Sequence, residues 1–288
     1  MACWADLQEE LRDRGLTMER YGLVPASSTV GGLLSRHHGT GRQMWDGDLR
    51  GGCIAISSTT PGTGDYGYLA APRKASGPDM RYLFIGGEGL FGVILDASLV
   101  AWRPSEARLF SWETSPAEAL LLHRRLIDMG VAPAWSVYVS KTLHVAVFGP
   151  DGLLRALERE LTAFAPTHTG GRDDVAAMRT KLESDHPGRR ESPAANRTHA
   201  ATFSVAQLAS AFDALDDAEL TIFDLNRHAA TVYATYPKGK APAELPGAIA
   251  HLPHTSSLVA SDDKIHWSHW SQTLKSELDR NRRLAVGP

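Results

Sequence analysis

The sequence predicts an α+β protein built on antiparallel sheets, and three stretches carry that prediction. From residue 105 onward the order is strand, helix, strand, strand, helix: "ARLFSWE" (107–113), "SPAEALLLHRRLIDMG" (115–130), "AWSVYVS" (134–140), "TLHVAVFG" (142–149) and "DGLLRALERELTAF" (151–164). That order places helices on one face of a mainly antiparallel sheet. A second run, "VAQLASAFDAL" (205–215), "ELTIFDL" (219–225) and "AATVYATY" (229–236), resumes helix, strand, strand and reads as a second copy of the same kind of unit. Ahead of both, residues 20–80 are crowded with glycine, proline and serine and read as short strands and loops.

Each element has a local cause. Residues 4–14 form the first helix candidate, with Trp4, Leu7 and Leu11 at i, i+3 and i+7 and Gly15 as a stop. "RYLFI" (81–85) and "VILDASLVAW" (93–102) read as strands flanking a glycine-rich loop, and Pro104 closes that region. Ser115 is the N-cap of the next helix, with Pro116 in its first turn and Gly130 after its last. Leucines 153, 154, 157 and 161 give the following helix its apolar face. Residues 165–202 hold no aromatic residue and are dense in charge and proline, so they read as a loose polar excursion. The segment "WSQTLKSELDRNRRLAVGP" (270–288) reads as a helix with an irregular tail.

Composition narrows the function classes. At 288 residues, 43% hydrophobic and 22% charged, the chain has the make-up of an ordinary globular protein with two domains or subdomains. A net charge of −3, with arginines interrupted by acids, gives no basic stripe for nucleic acid or anionic membrane. Cys3 and Cys53 are too few for a disulfide framework, which suits a reducing compartment and points to the cytoplasm. Acids at Asp6, Glu9 and Glu10 break up the N-terminal segment, which is no secretory signal. No run of eighteen apolar residues occurs, so no membrane span is expected.

The motif that matters most is "FIGGEGLFGVILDA" (84–97), in which Gly87, Gly89 and Gly92 fit G-x-G-x-x-G. A dinucleotide-binding loop would place a helix behind the last glycine and a ribose-binding acid about 20 residues on, for which Glu113 is positioned. Against that, Val93-Ile94-Leu95 is a β-branched apolar run suited to a strand. The same pattern also recurs at "GTGDYG" (62–67) with no helix behind it. On spacing alone, a structural turn and a dinucleotide loop both stay open.

The longer string "GPDMRYLFIGGEGLFGVILDASLVAWRP" (77–104) resembles a segment of FAD-linked oxidases of the vanillyl-alcohol-oxidase and p-cresol-methylhydroxylase (PCMH) type. Within that family it is similar to the FAD-binding subunit of glycolate oxidase and to alkyldihydroxyacetonephosphate synthase. "PASSTVGGLLSRHHGTGR" (25–42) resembles the family's P-x-x-S-T-V-G-G segment, and "WADLQEELRDRGL" (4–16) the helix that precedes it. The tail "LKSELDRNRRLAVGP" (274–288) resembles the family's terminal segment. The blocks stand in family order.

The resemblance implies that residues 1–104 are the second half of a PCMH-type FAD-binding domain, followed by an α+β substrate-side domain over 105–288. It implies an FAD cofactor, with Ser28, Thr29, Gly31, Gly32, Ser35 and Gly39 facing the pyrophosphate and ribityl region. Glu88, Gly89, Leu90, Phe91, Gly92, Val93 and Ile94 would form the second contact segment, because bare glycine backbone lets a ligand come close. The sequence departs from the family pattern at Gly87, Phe91 and Leu95, and in the tail at Arg280 and Ala285-Val286. The family's N-terminal subdomain with its P-x-G-G-G-T phosphate loop is not found in these 288 residues. The expectation is therefore an FAD-linked oxidoreductase subunit or fragment, oxidising a small molecule such as a 2-hydroxy acid (glycolate or lactate). It would need a partner subunit or self-association to complete the cradle. The alternative is a flavin-free subunit that keeps the fold. No catalytic base is marked.

The remaining constellations are weaker. "HLPH" (251–254) and "HWSH" (266–269) have metal-ligand spacing, yet with twelve histidines they read as surface or hydrogen-bonded residues, and no metal is assigned. Trp135, Tyr138 and Tyr233 on strands read as core.

Overall fold

A computed structural model describes residues 2–25, 28–36, 49–62, 64–68, 79–87, 89–185, 197–215, 218–223, 225, 229–236, 250–252 and 276–278. The N-terminal part begins with helix α1 (Trp4–Asp13), followed by α2 (Val30–Arg36) and the short turn α3 (Leu49–Gly52). It then forms a three-stranded antiparallel sheet from β1 (Cys53–Thr60), β2 (Gly64–Tyr68) and β3 (Val93–Leu99), in the order β2-β1-β3. A helical turn α4 (Arg81–Phe84) precedes the glycine loop. Trp4, Tyr21, Leu34, Leu49, Ile56, Phe84 and Ile85 make the core beneath this sheet.

Two sequence expectations change here. Residues 81–84 are helical rather than extended, because the Arg81 side chain turns back to Asp79 and closes the turn. Residues 30–36, expected as loop, are the helix α2: the Thr29 hydroxyl caps it by accepting from Gly32 N–H (3.1 Å).

The second sheet has eight strands in the order β11-β8-β10-β9-β5-β6-β4-β7. Its first half is β4 (Ala107–Glu113), α5 (Pro116–Asp128), β5 (Trp135–Val139), β6 (Thr142–Phe148), α6 (Asp151–Leu161) and β7 (His168–Gly170). Its second half is β8 (Arg197–Ser204), α8 (Val205–Ala211), β9 (Glu219–Phe223), β10 (Ala229–Tyr236) and β11 (Ala250–Leu252). In each half the fourth strand lies beside the first, then the third, then the second. The halves are the same unit twice, joined side by side where Tyr138 on β5 faces Ile222 on β9. The repeated helix–strand–strand pattern in the sequence is this duplication.

Local chemistry explains the pieces. A capping box starts α5: Ser115 Oγ accepts from Glu118 N–H (3.3 Å), and a Glu118 carboxylate oxygen accepts from Ser115 N–H (3.2 Å). Thr114, Ser115 and their hydrogen bonds hold the Glu118 carboxyl below its ordinary value. The β5–β6 hairpin turns on Ser140 and Lys141, both with positive φ (49° and 60°), as a two-residue turn matched to strand twist requires.

One face of the large sheet buries Phe110, Trp112, Leu143, Val145, Phe203, Ile222 and Val232 against α5, α6 and α8. The opposite face of the first half is covered by another helix, α7 (Arg172–Ser184), whose Val175 and Leu182 pack with Leu109, Trp135, Val137 and Ala146. The span read as a loose polar excursion therefore contains β7 and α7. Its apolar stripe is sparse, and its helicity depends on this sheet face, which the local sequence does not show.

α7 also ties the second sheet to the segment 19–24 of the N-terminal part through charge. Arg179 donates to Glu19 O (2.9 Å) and to Gly22 O, and pairs with Glu183 (2.8 Å). Glu183 in turn accepts from Val24 N–H (3.2 Å), while Arg172 pairs with Glu19 (3.0 Å) and donates to Ser105 O. Burial raises the Glu183 carboxyl pKa, opposed by Arg179 and the Val24 N–H.

Beneath α7, His144 on β6 is bonded through Nδ1 to Ser111 Oγ (2.9 Å). Burial, with Lys181 and His168 nearby, pushes this imidazole down to about 4 from 6.5. Because the folded value is the lower one, the stabilisation is complete above pH 6.5 and is lost as pH falls through about 4. With allowance for partial solvent access it amounts to roughly 2 kcal/mol. Wild-type chain should lose more thermal stability between pH 7 and 4 than a His144→Gln variant does. Parallel losses would assign the acid sensitivity to another group.

Candidate functional site

The described residues among those singled out by the sequence occupy two segments, and the fold sets these segments side by side. Ser28 accepts from Trp4 N–H through its carbonyl (2.8 Å), and Thr29 pairs with Cys3 in an isolated bridge. The chain then enters α2 with Gly31, Gly32 and Ser35, all half-buried. The second segment follows α4. Gly86 N–H donates to Leu34 O at the end of α2 (2.9 Å), and Leu90 N–H donates to Gly87 O (2.8 Å). A Cβ placed on Gly31 would meet Ile94 O at 3.7 Å, an ordinary contact. So α2 lies across the start of β3, and its backbone abuts the glycine loop.

The loop is held from below. Arg81, buried, bonds through Nε to both Asp79 carboxylate oxygens (2.9 and 3.0 Å) and donates to Cys53 O on β1. Burial pushes the Cys53 thiol up to about 11, which makes it a packing group rather than a nucleophile. Tyr66 on β2 and Phe84 stack under the loop with ring centroids 5.6 Å apart.

The four loop glycines have different reasons. A Cβ on Gly87 would lie 2.2 Å from Leu83 O, and one on Gly92 would lie 2.6 Å from Thr59 O and 2.7 Å from a Phe84 ring carbon. Both are fixed by the protein's own packing. Gly86 and Gly89 have φ near +80°, the left-handed region, and Gly89 has no described heavy atom within 4 Å of its added Cβ. Neither Gly89 nor Gly31 is therefore required by a clash with described protein atoms. Leu90 and Phe91 are half-buried, Val93 is 50% exposed, and Ile94 turns inward. Gly39 and Glu88 lie outside the described residues.

The strand over Val93–Leu99 pairs antiparallel with β1, so no helix follows the last glycine. Glu113 ends β4, in the second sheet. The dinucleotide-loop geometry is thereby removed. The tail segment also returns to this end of the molecule: Gly62 N–H donates to Leu278 O (2.9 Å), and a Cβ at Gly62 would strike the backbone of 277–278. The sequence marked the tail but not this landing point.

Solved structures share the architecture. Alkyldihydroxyacetonephosphate synthase, in two crystal forms, superposes with TM-scores of 0.68 and 0.66 at 14% and 15% identity, covering 98% of this chain. 6-Hydroxy-D-nicotine oxidase from Arthrobacter nicotinovorans superposes with a TM-score of 0.62 at 15% identity, again over 98% of this chain. The chain shares the fold of these solved structures, a mixed architecture of helices and antiparallel sheets. It spans 62% and 60% of the two synthase chains and 75% of the nicotine oxidase. No protein-family model and no curated protein matches the sequence.

Within this fold Trp4, Leu33 and Leu34 are buried, and Leu7 and Leu11 pack against the same core. Exposed apolar side chains sit next to the glycine loop: Tyr82, Val93 and Leu95 at 46, 50 and 60%. The helix α1 turns its own stripe inward, which the sequence periodicity permits but does not specify. Among the described residues no group of three or more histidines, cysteines and carboxylates gathers for a metal, and no helix is long and apolar enough to cross a membrane.

Proposed function

We propose that this chain is part of an FAD-linked oxidoreductase and that the junction of α2 with the glycine loop holds one side of the flavin nucleotide. The observation that carries this reading is Gly31. It sits in a helix, where glycine costs about 1 kcal/mol against alanine, yet no described contact requires its missing side chain. A ligand approaching the backbone supplies the reason. Gly89, whose added Cβ would meet no described atom within 4 Å, lies in the adjoining segment, and the Gly86 to Leu34 hydrogen bond fixes the two segments together.

In this reading Ser28, Thr29, Gly31, Gly32 and Ser35 face the phosphate and ribityl region, while residues 89–94 offer backbone donors and acceptors. When bound, FAD supplies the acceptor for a hydride equivalent from a small-molecule substrate. The chain's own residues orient it and keep water away. No described residue at the junction selects a 2-hydroxy acid. The outer face of β3, with Val93 and Leu95 exposed, is where a further segment or a partner subunit would complete the cradle.

A flavin-free subunit is the competing reading, and Gly87 and Gly92 favour it, since packing alone accounts for both. FAD titration followed by flavin fluorescence separates the two. Gly31→Ala should fold at least as stably as the wild type while weakening FAD binding about tenfold. Glu113→Ala should leave the titration unchanged. Absence of FAD binding by the assembled wild-type protein would reject the flavin reading.

A further inference from the structure

We propose that the nook between α7 and the strands β6, β4 and β7, formed by Ser111, His144, His168 and Lys181, binds a small oxyanion such as a phosphate or carboxylate group. This site is remote in the chain from the flavin-facing segments, and its assignment stands independently of the flavin reading.

The register builds it. Ser111 on β4 lies directly opposite His144 on β6 and opposite His168 on β7. Residues paired across neighbouring strands project to the same face, so the three side chains form one transverse row. That face is the one α7 covers, since Leu109, two residues along β4, packs with Val175 and Leu182. α7 brings Lys181 into electrostatic reach of His144.

The hydrogen bond between Ser111 Oγ and His144 Nδ1 fixes the ring and leaves Nε2 as its remaining polar position. His168 and Lys181 are both exposed, so the nook opens to solvent at the sheet edge. The buried Ser111–His144 pair is thus flanked by two exposed groups, the His168 imidazole beside it on the edge strand and the Lys181 ammonium on α7.

The nearby carboxylates are engaged elsewhere. Asp174 accepts from Gly171 N–H (2.8 Å), and Glu183 is held by Arg179 and Val24 N–H. Glu113 lies on the same face of β4 but at its exposed end, and Asp173 and Asp185 are exposed on α7 and its cap. Among the described residues no carboxylate is bonded to His144, His168 or Lys181. Burial first, and then the charges of Lys181 and His168, make proton uptake by His144 unfavourable, and a bound anion opposes the charge part. Anion binding and protonation of His144 are therefore coupled, and affinity rises as pH falls.

Inorganic sulfate is the probe, because its charge does not change over the range used. Calorimetric titration at pH 7.5 and 5.5, with ionic strength held constant by sodium chloride, should give saturable binding that is at least fivefold tighter at the lower pH. Sulfate should also shift the His144 ring resonances. Lys181 is exposed, so Lys181→Gln should fold normally and weaken binding at least fivefold, with His168→Gln acting in the same direction. FAD binding by Lys181→Gln should be unaffected, which keeps this test separate from that of the flavin site. Non-saturable heat reproduced by chloride, or sulfate binding indifferent to both substitutions, would overturn the proposal.

Discussion

Gly92→Val should destabilise the first sheet by about 3 kcal/mol or more, at the upper end of what overpacking a core costs. A Cβ at this position points at Thr59 O on the central strand β1 and at the Phe84 ring, both within 2.7 Å. Neither neighbour has room to move. Thr59 is held in the β1 ladder opposite Val93 and Asp65, and Phe84 is buried against Tyr66. Chemical denaturation followed by tryptophan fluorescence should therefore show an early transition for the N-terminal part. The sequence pattern led to a different reason for the same glycine, a flavin ring pushed away by the new side chain. The two reasons part company in the measurement. A variant that keeps wild-type stability and loses only flavin binding would show that the protein contacts had been overrated.

The second large effect is expected at Arg179. It is buried on α7 and joins that helix to the backbone of residues 19–22 and to Glu183. Arg179→Met removes a charge whose partner Glu183 stays buried, and breaking such a pair by one side costs about 3–5 kcal/mol. The double variant Arg179→Met with Glu183→Gln should recover part of that loss, because the stranded carboxylate is gone. Hydrogen exchange provides the spatial readout. Amides of α7 and of residues 19–24 should lose protection together in the single variant, while β5 and β6 keep theirs. Uniform loss across both sheets would mean that the two parts unfold as one unit and that α7 is no separate clamp.

How much was legible in advance differs between elements for physical reasons. The helix α5 could be read because its start is encoded locally, in Ser115, Pro116 and Glu118. The strands β4, β5 and β6 alternate or run apolar in a way that no helix would. By contrast α7 carries a weak apolar stripe amid charge, and its helicity rests on burying Val175 and Leu182 against a sheet formed by residues far away in sequence. The turn at 81–84 was missed because its cause is a single buried arginine reaching back two residues.

The sequence alone therefore determined the α+β class and the repeated unit, and it marked the two glycine-bearing segments that the fold sets side by side. These rest on periodicity, caps and backbone permissiveness, which act over a few residues. Only the tertiary structure decided which glycines the protein's own packing requires. A Cβ on Gly87 or Gly92 would strike protein atoms, while one on Gly31 would make an ordinary contact and one on Gly89 would meet no described atom within 4 Å, and no local pattern separates the pairs. Only the sheet register set Ser111, His144 and His168 in one row beneath α7, since strands from three distant stretches must align before those side chains meet.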